Sequence, residues 1–150
     1  MKKIVIIVLV VVFLFTAFIF GFKLLVTTIV NQRNCEFANI DNVEVNVGVN
    51  IPKIEVSQCN YDESLNLKSV YFKFKEQNSQ DYITTFKFKK VKNLNDLEKD
   101  NLQYFLGNFS SLYKNLDSLY IKKGNRKNNS HVAVYNAYTN EFWAVIHFKD

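Results

Sequence analysis

The stretch that decides the architecture is Ile4–Phe22, IVIIVLVVVFLFTAFIFGF, which follows the charged pair Lys2-Lys3. It carries no charged residue, and sixteen of its nineteen positions are Leu, Ile, Val or Phe. A helix of this length is about 28 Å long, close to the thickness of a bilayer's hydrocarbon core. The sixteen strongly apolar residues favour membrane insertion by about 5 to 10 kcal/mol. The sequence therefore predicts that the chain spans the membrane lipid bilayer through Ile4–Phe22.

A cleaved signal peptide is the main alternative interpretation of this segment, and a buried core helix is a second. Signal peptides have an apolar region of about 7 to 15 residues, followed by small residues at the cleavage site. Here the apolar run is longer, and Thr27-Thr28 is a poor match to such a site. We therefore predict an uncleaved anchor with an interface segment in residues 1–30, and a single domain in residues 31–150, which suits one hydrophobic core.

The positive charges that flank the anchor indicate its orientation. Lys2, Lys3 and the α-amino group lie before the apolar run, and Lys23 and Arg33 lie after it. Because positive flanks favour the cytoplasmic side, this small excess predicts a cytoplasmic N-terminus. The expected location is the cell membrane, crossed once, with the C-terminal domain outside the cytoplasm.

The net charge of +5 overstates the basic character of the domain. Three of the nineteen basic residues, Lys2, Lys3 and Lys23, lie in residues 1–30, which leaves sixteen basic and fourteen acidic residues in 31–150, a net charge of +2. Nucleic-acid-binding proteins usually need a strongly basic face. The composition therefore argues against a nucleic acid as the partner, and no motif indicates a cofactor.

Cys35 and Cys59 are the two cysteines of the chain, and both follow the anchor. An even number of cysteines in an oxidising compartment favours a disulfide. A free reactive thiol or a metal pair completed by a histidine is the alternative, but the spacing matches no metal motif. We therefore expect a bond between Cys35 and Cys59 that closes a loop of about 25 residues.

Alternating apolar and polar residues predict several strands. Val43–Ile51 has this period of two, and Lys53–Gln58 is a candidate continuation toward Cys59. Ser69–Lys75 alternates again, as does Tyr82–Val91, and the polar loop between these two segments predicts a hairpin.

A helix is predicted after this hairpin, with Asn95 as N-cap and Glu98 in the capping-box position. Its apolar residues recur at spacings of three and four: Leu102, Phe105, Leu106, Phe109, Leu112, Tyr113 and Leu116. Ser118–Lys122 follows as a strand, and a final hairpin pairs His131–Tyr135 with Phe142–Phe148. The predicted fold is α+β: an N-terminal transmembrane helix, then a small antiparallel sheet of about six strands with one packed helix.

Four lysines form the first candidate binding surface, because alternation places them on one face of the first hairpin: Lys73, Lys75, Lys87 and Lys89. Such a face could hold an anionic partner, a lipid headgroup or a polysaccharide. The alternative is a solvated sheet face whose charges keep the domain soluble. Like charges facing each other across strands cost stability, which keeps the binding interpretation open.

His131 and His147, on the two strands of the last hairpin, are candidates for a metal or catalytic site. A three-residue loop at Tyr138-Thr139-Asn140 would pair them directly, whereas a two-residue loop would pair His147 with Val132 and put the imidazoles on opposite faces. No carboxylate has a spacing that identifies a third ligand. Ordinary strand histidines are therefore the default expectation, with no metal.

These observations lead to three hypotheses for the function. The first is a membrane-anchored, extracytoplasmic, non-catalytic interaction module that binds an envelope protein or an incoming toxin. The second is a domain that binds a small ligand or glycan with its lysine and aromatic residues. A small hydrolase that uses His131 or His147 is the third, although the sequence contains no nucleophile motif or phosphate loop.

Overall fold

The structure is a computed structural model, and it describes residues 2–30, 33, 35, 36, 39–75, 78–93, 97, 102–106, 116–126 and 128–149. Within the described residues, the structure has these helices and strands: α1 (Lys2–Val30), α2 (Asn39–Val47), β1 (Ile54–Asp62), β2 (Leu67–Phe74), α3 (Ser79–Thr85), β3 (Lys89–Lys90), β4 (Leu119–Arg126), β5 (Asn129–Asn136) and β6 (Glu141–His147). Short 3-10 turns lie at Leu102–Tyr104 and Leu116–Ser118.

Helix α1 confirms the predicted N-terminal apolar helix. It runs for 29 residues, and Ile6–Leu24 is long and apolar enough to cross a membrane. None of that span is buried against the rest of the protein. Its large side chains therefore have no protein core to pack into, as expected for a helix whose solvent is lipid.

The six strands form one sheet in the order β1-β2-β6-β5-β4-β3, and every neighbouring pair is antiparallel. This confirms the α+β class and the count of strands. The predicted strand leading to Cys59 is β1, the strand at Ser69–Lys75 is β2, and the final hairpin is β5–β6. β1 and β3 are the two edges of this sheet.

The strand predicted at Val43–Ile51 is wrong, because residues 39–47 form helix α2. Val43 and Val47 are both buried, whereas Val45 is 42% exposed. A spacing of four residues fits the 3.6-residue period of a helix as well as the two-residue period of a strand, so the sequence pattern was ambiguous. The helix ends at Val47, and the next residue, Gly48, has a φ of 68° in the left-handed region that favours glycine.

The predicted hairpin between Ser69–Lys75 and Tyr82–Val91 is also wrong. Residues 79–85 form α3, which starts where the Asn78 side chain accepts a hydrogen bond from the Asp81 N–H. Lys87, with a φ of 58°, then turns the chain toward β3, which pairs with β4 at the far edge of the sheet. β2 pairs with β6, and not with the expected segment Tyr82–Val91.

The sheet has a hydrophobic core on each face. Helices α2 and α3 cover one face, where Val43, Val47, Tyr82 and Ile83 pack on sheet residues such as Phe72 and Phe142. On the other face Leu119, Ile121 and Trp143 pack with Leu97 and Phe105. Of the helix predicted from Asn95, the caps and the middle lie outside the described residues, and Leu102–Tyr104 is a 3-10 turn.

Candidate functional site

An open cleft of about 710 Å³ lies at the end of the sheet where β1 begins and β2 ends. Its described lining residues come from the start of β1, the end of β2 and the β5–β6 turn: Lys53, Glu55, Lys73, Phe74, Lys75, Thr139 and Asn140. We call this the lysine cleft. Three lysines and one glutamate give this described lining a net charge of +2.

Backbone pairing positions the lysines of the cleft. The Lys75 N–H donates to the Lys53 carbonyl oxygen over 2.8 Å, so these two residues lie side by side where the β1–β2 ladder ends. The register of that ladder shifts between Ile54 and Val56. Such an irregularity bends the edge strand and redirects its side chains, which brings Glu55 toward Lys73.

The charges of the cleft are only partly compensated. Lys73 Nζ lies 3.1 Å from Glu55 Oε2, in an ion pair whose side chains are both more than 40% exposed. An exposed pair of this kind contributes less than about 1 kcal/mol, so it can exchange for another anion at little cost. Lys53 and Lys75 are exposed and form no ion pair with any carboxylate in the described ranges.

A second acidic side chain near the cleft, that of Glu141, accepts hydrogen bonds from two hydroxyl groups. Glu141, opposite Lys73 in the β2–β6 ladder, accepts from Tyr71 Oη over 2.8 Å and from Thr139 Oγ1 over 2.6 Å. Burial, this hydrogen bond and the nearby Glu55 raise the pKa of Tyr71 above its usual value, so the phenol keeps its proton and remains a donor. Glu141 therefore holds the wall of the cleft in place.

The β5–β6 turn that forms the opposite wall is rigidly held. Asn140 has a φ of 55° and accepts on Oδ1 from Tyr135 Oη at 2.7 Å and from Ser79 Oγ at 3.1 Å. The Asn136 side chain accepts from the backbone N–H groups of Tyr138 and Thr139. These contacts tie the turn to α3 and to the buried face of β5, so the cleft is preformed.

The structure brings together two of the four lysines that the sequence grouped. Lys73 and Lys75 line the cleft, but Lys87 lies in the turn after α3 and Lys89 lies on β3. Four strand spacings, or roughly 19 Å, separate β2 from β3. The prediction that the four lysines share one face was wrong, because it assumed a hairpin that does not form.

Sequence reasoning missed Lys53, Thr139 and Asn140 as neighbours of Lys73 and Lys75. The turn at 138–140 and the strand after Pro52 were both recognised, but their meeting depends on β6 pairing with β2 across a long loop. Local patterns do not report pairings of such high sequence separation.

The two histidines lie on opposite faces of the sheet. His131 pairs with Ile146 and His147 with Ser130, so the observed register differs from both registers weighed from the sequence. It results from a turn of four residues, 137–140. His131 is buried, whereas His147 is exposed, and the described part of the chain contains no group of three potential metal ligands.

His131 is a core histidine with an unusual environment. Burial and the charges of Lys122 and Arg126 lower its pKa to about 4, so the ring is neutral near pH 7. Neither ring nitrogen has a hydrogen-bond partner among the described groups. Lys122 is engaged elsewhere, since its Nζ donates to the carbonyl oxygens of Gly48 and Phe86.

The predicted disulfide is present. Cys35 and Cys59 are bonded, with their Cα atoms 5.6 Å apart. The bond attaches the segment that follows α1 to edge strand β1.

Compared with known proteins, the chain matches no family model, no curated protein and no solved structure.

Proposed function

We propose that this chain is a membrane-anchored, extracytoplasmic, non-catalytic interaction module. Helix α1 is its anchor, and the domain in residues 31–150 lies outside the cytoplasm. The disulfide supports this location, because such bonds form and persist in oxidising compartments. The slight excess of positive charge before the apolar span supports the same orientation.

The lysine cleft is the observation that carries the proposed binding role. Lys53 and Lys75 present ammonium groups that no described carboxylate neutralises, and Lys73 holds Glu55 in an exposed, exchangeable pair. A partner segment that carries carboxylates would replace water around these groups without displacing a strong internal interaction. The proposed partner is an acidic segment of an envelope protein or of an incoming toxin.

Affinity capture from envelope extracts with the full chain tests this proposal. We expect a protein partner to be captured by the wild type and lost in a Lys53→Glu, Lys75→Glu variant. The matched control is Lys87→Glu, Lys89→Glu, which makes the same change in charge outside the cleft and should retain the partner. Capture of nothing above background, or equal capture by both variants, would argue against the proposal.

The orientation has its own test in intact cells. Cys35 and Cys59 should resist a maleimide reagent until a reductant that does not cross the inner membrane is added. Labelling that requires broken cells and no reductant would place the domain in the cytoplasm and exclude the extracytoplasmic role.

A small anionic ligand or acidic glycan is the second candidate, supported by the size of the cleft. A volume of about 710 Å³ lies within the range of small-molecule sites. Phe74, which is 2% exposed, is the one aromatic residue of the described lining, so lysines and polar groups provide most of the surface that a ligand would contact. Calorimetric titration of the full chain with polygalacturonate tests this candidate, and binding that is unchanged by Lys53→Glu, Lys75→Glu would contradict it.

A further inference from the structure

Arg33 is fixed to the domain only three residues after α1 ends at Val30. Its Nε donates to Asn66 Oδ1 over 2.9 Å, and its guanidinium carbon lies 5.4 Å from the centre of the Phe148 ring. Asn66 also accepts from Tyr61 Oη, and its carbonyl oxygen accepts from the Phe148 N–H over 2.9 Å. Arg33 is therefore part of the end of the sheet at which β1 turns into β2.

The length of chain between the anchor and Arg33 limits how far this end can lie from the membrane. Three residues span at most about 11 Å. Helix α1 continues six residues, or about 9 Å, beyond Leu24, where the apolar span ends. The headgroup layer is about 5 to 8 Å thick on each side of a bilayer. Val30 therefore lies near the outer boundary of that layer, and Arg33 lies close above it.

The β1–β2 turn, residues 63–66, is the part of the domain adjacent to Arg33. Asp62 Oδ1 accepts from the N–H groups of Ser64 and Leu65 at 2.9 and 3.2 Å, which fixes the turn. Leu65, beside Asn66, is 39% exposed, so the turn presents an apolar side chain at its tip. The exposed Lys149 follows Phe148 at the same end.

We propose that the β1–β2 turn rests on the headgroup layer of the membrane that α1 crosses, with Leu65 at the interface. This inference relies on the anchoring by α1 that the proposed function includes. The contact needs little affinity of its own, because the short connection holds the turn at a high effective concentration beside the surface. Arg33 and Lys149 balance Asp62 and Glu63 in charge, so the contact does not depend on anionic lipid.

The contact would also orient the lysine cleft. The cleft lies at the start of β1, and the turn lies at its other end, about 27 Å away along the strand. A domain that rests on its β1–β2 turn thus directs the cleft away from the bilayer, toward partners in the surrounding solution.

Fluorescence quenching in vesicles tests this inference with the full chain. Leu65→Trp is reconstituted into phosphatidylcholine vesicles in which part of the lipid is brominated near the carbonyl end of its acyl chains. We expect its added emission to be blue-shifted and quenched. Tyr138→Trp is the matched control, since Tyr138 is 80% exposed on the β5–β6 turn at the cleft end, and its added emission should be unaffected. Trp143 is 1% exposed and gives the same background in both variants.

Flotation of the vesicles after an alkaline carbonate wash separates the two proposals. A chain that floats but shows no quenching of Leu65→Trp, or equal quenching of both variants, overturns the membrane contact and leaves the anchor intact. A chain that does not float overturns the anchor and the contact together. If Leu65→Trp does not fold, Glu63→Trp places the probe in the same turn at an exposed position, and the same two outcomes apply.

Discussion

His131 packs directly on Gly124, its partner across the β4–β5 ladder. A Cβ atom added to Gly124 would lie 3.0 Å from Cε1 and 3.2 Å from Nε2 of the imidazole. Both distances are shorter than ordinary van der Waals contact, so the glycine provides the space in which the buried ring lies. Gly124 therefore allows His131 to be buried where β4 pairs with β5.

We therefore expect Gly124→Ala to destabilise the domain by about 1 to 3 kcal/mol, the usual cost of inserting a methyl group into a packed core. The gain from a less flexible unfolded chain, about 0.4 to 1 kcal/mol, is smaller. Denaturant unfolding followed by circular dichroism measures the change in the free energy of unfolding.

A double-mutant cycle checks the physical reason for this loss. In a His131→Ala background the ring is gone, so Gly124→Ala should become neutral or slightly stabilising. If Gly124→Ala costs the same in both backgrounds, the loss arises from the backbone and not from the imidazole.

The same histidine should make the stability of the domain depend on pH. In the unfolded chain its pKa is about 6.5, whereas in the folded protein burial, Lys122 and Arg126 lower the pKa to about 4. Between these values the unfolded state binds a proton that the folded state does not. The free energy of unfolding should therefore be greatest above pH 6.5 and fall by at most about 3 kcal/mol as the pH approaches 4.

Unfolding curves at several pH values measure this effect. His131→Leu removes the titrating group and should lose this part of the pH dependence. His147→Gln removes the exposed histidine on the other face and should retain it. Parallel pH profiles for wild type and His131→Leu would show that carboxylates, and not this imidazole, govern the acid sensitivity.

The disulfide should contribute substantially to stability. It joins residues 24 positions apart, for which the chain-entropy treatment gives about 3.5 kcal/mol. A Cys35→Ser, Cys59→Ser variant should lose roughly that amount in urea unfolding, and reduced wild type should unfold at the same urea concentration as the variant. A loss below about 1 kcal/mol would mean that Arg33 and its contacts hold this segment without the covalent bond.

The elements that the sequence predicted well are those with one strong local signal. Ile4–Phe22 is long and apolar enough to predict a membrane segment, β2 alternates between apolar and polar residues, and the apolar runs of β5 and β6 flank a recognisable turn. The chain has two cysteines, both after the apolar segment, so a disulfide between them was the simplest pairing. In each case a short stretch of chain contains enough information to decide between the alternatives.

The lysine cleft required information that no short stretch contains. Lys53 meets Lys75 because β1 pairs with β2, and the carbonyl oxygen of Asn140 accepts from the Phe74 N–H because β6 pairs with β2. The prediction joined Ser69–Lys75 to the next segment in the chain, as short loops usually favour, and this grouped Lys87 and Lys89 with the wrong neighbours. Of the four predicted lysines, Lys73 and Lys75 line the cleft, and the opposite wall was missing from the prediction; the binding role of the lysines stays a prediction.

Val43, Val45 and Val47 provide a direct test of the most consequential difference between sequence and structure. As a strand, the segment would bury all three on one face. As helix α2, it buries Val43 and Val47 at 0% and 1% exposure and leaves Val45 at 42%. We expect Val43→Ala and Val47→Ala each to cost about 1 to 3 kcal/mol through lost burial and a residual cavity. Val45→Ala should cost less than about 0.5 kcal/mol, because alanine is the better helix former and the lost contact area is small. Urea unfolding of the three variants decides between the two structures. Equal losses in the free energy of unfolding at all three positions would favour a strand and contradict helix α2 on the face of the sheet.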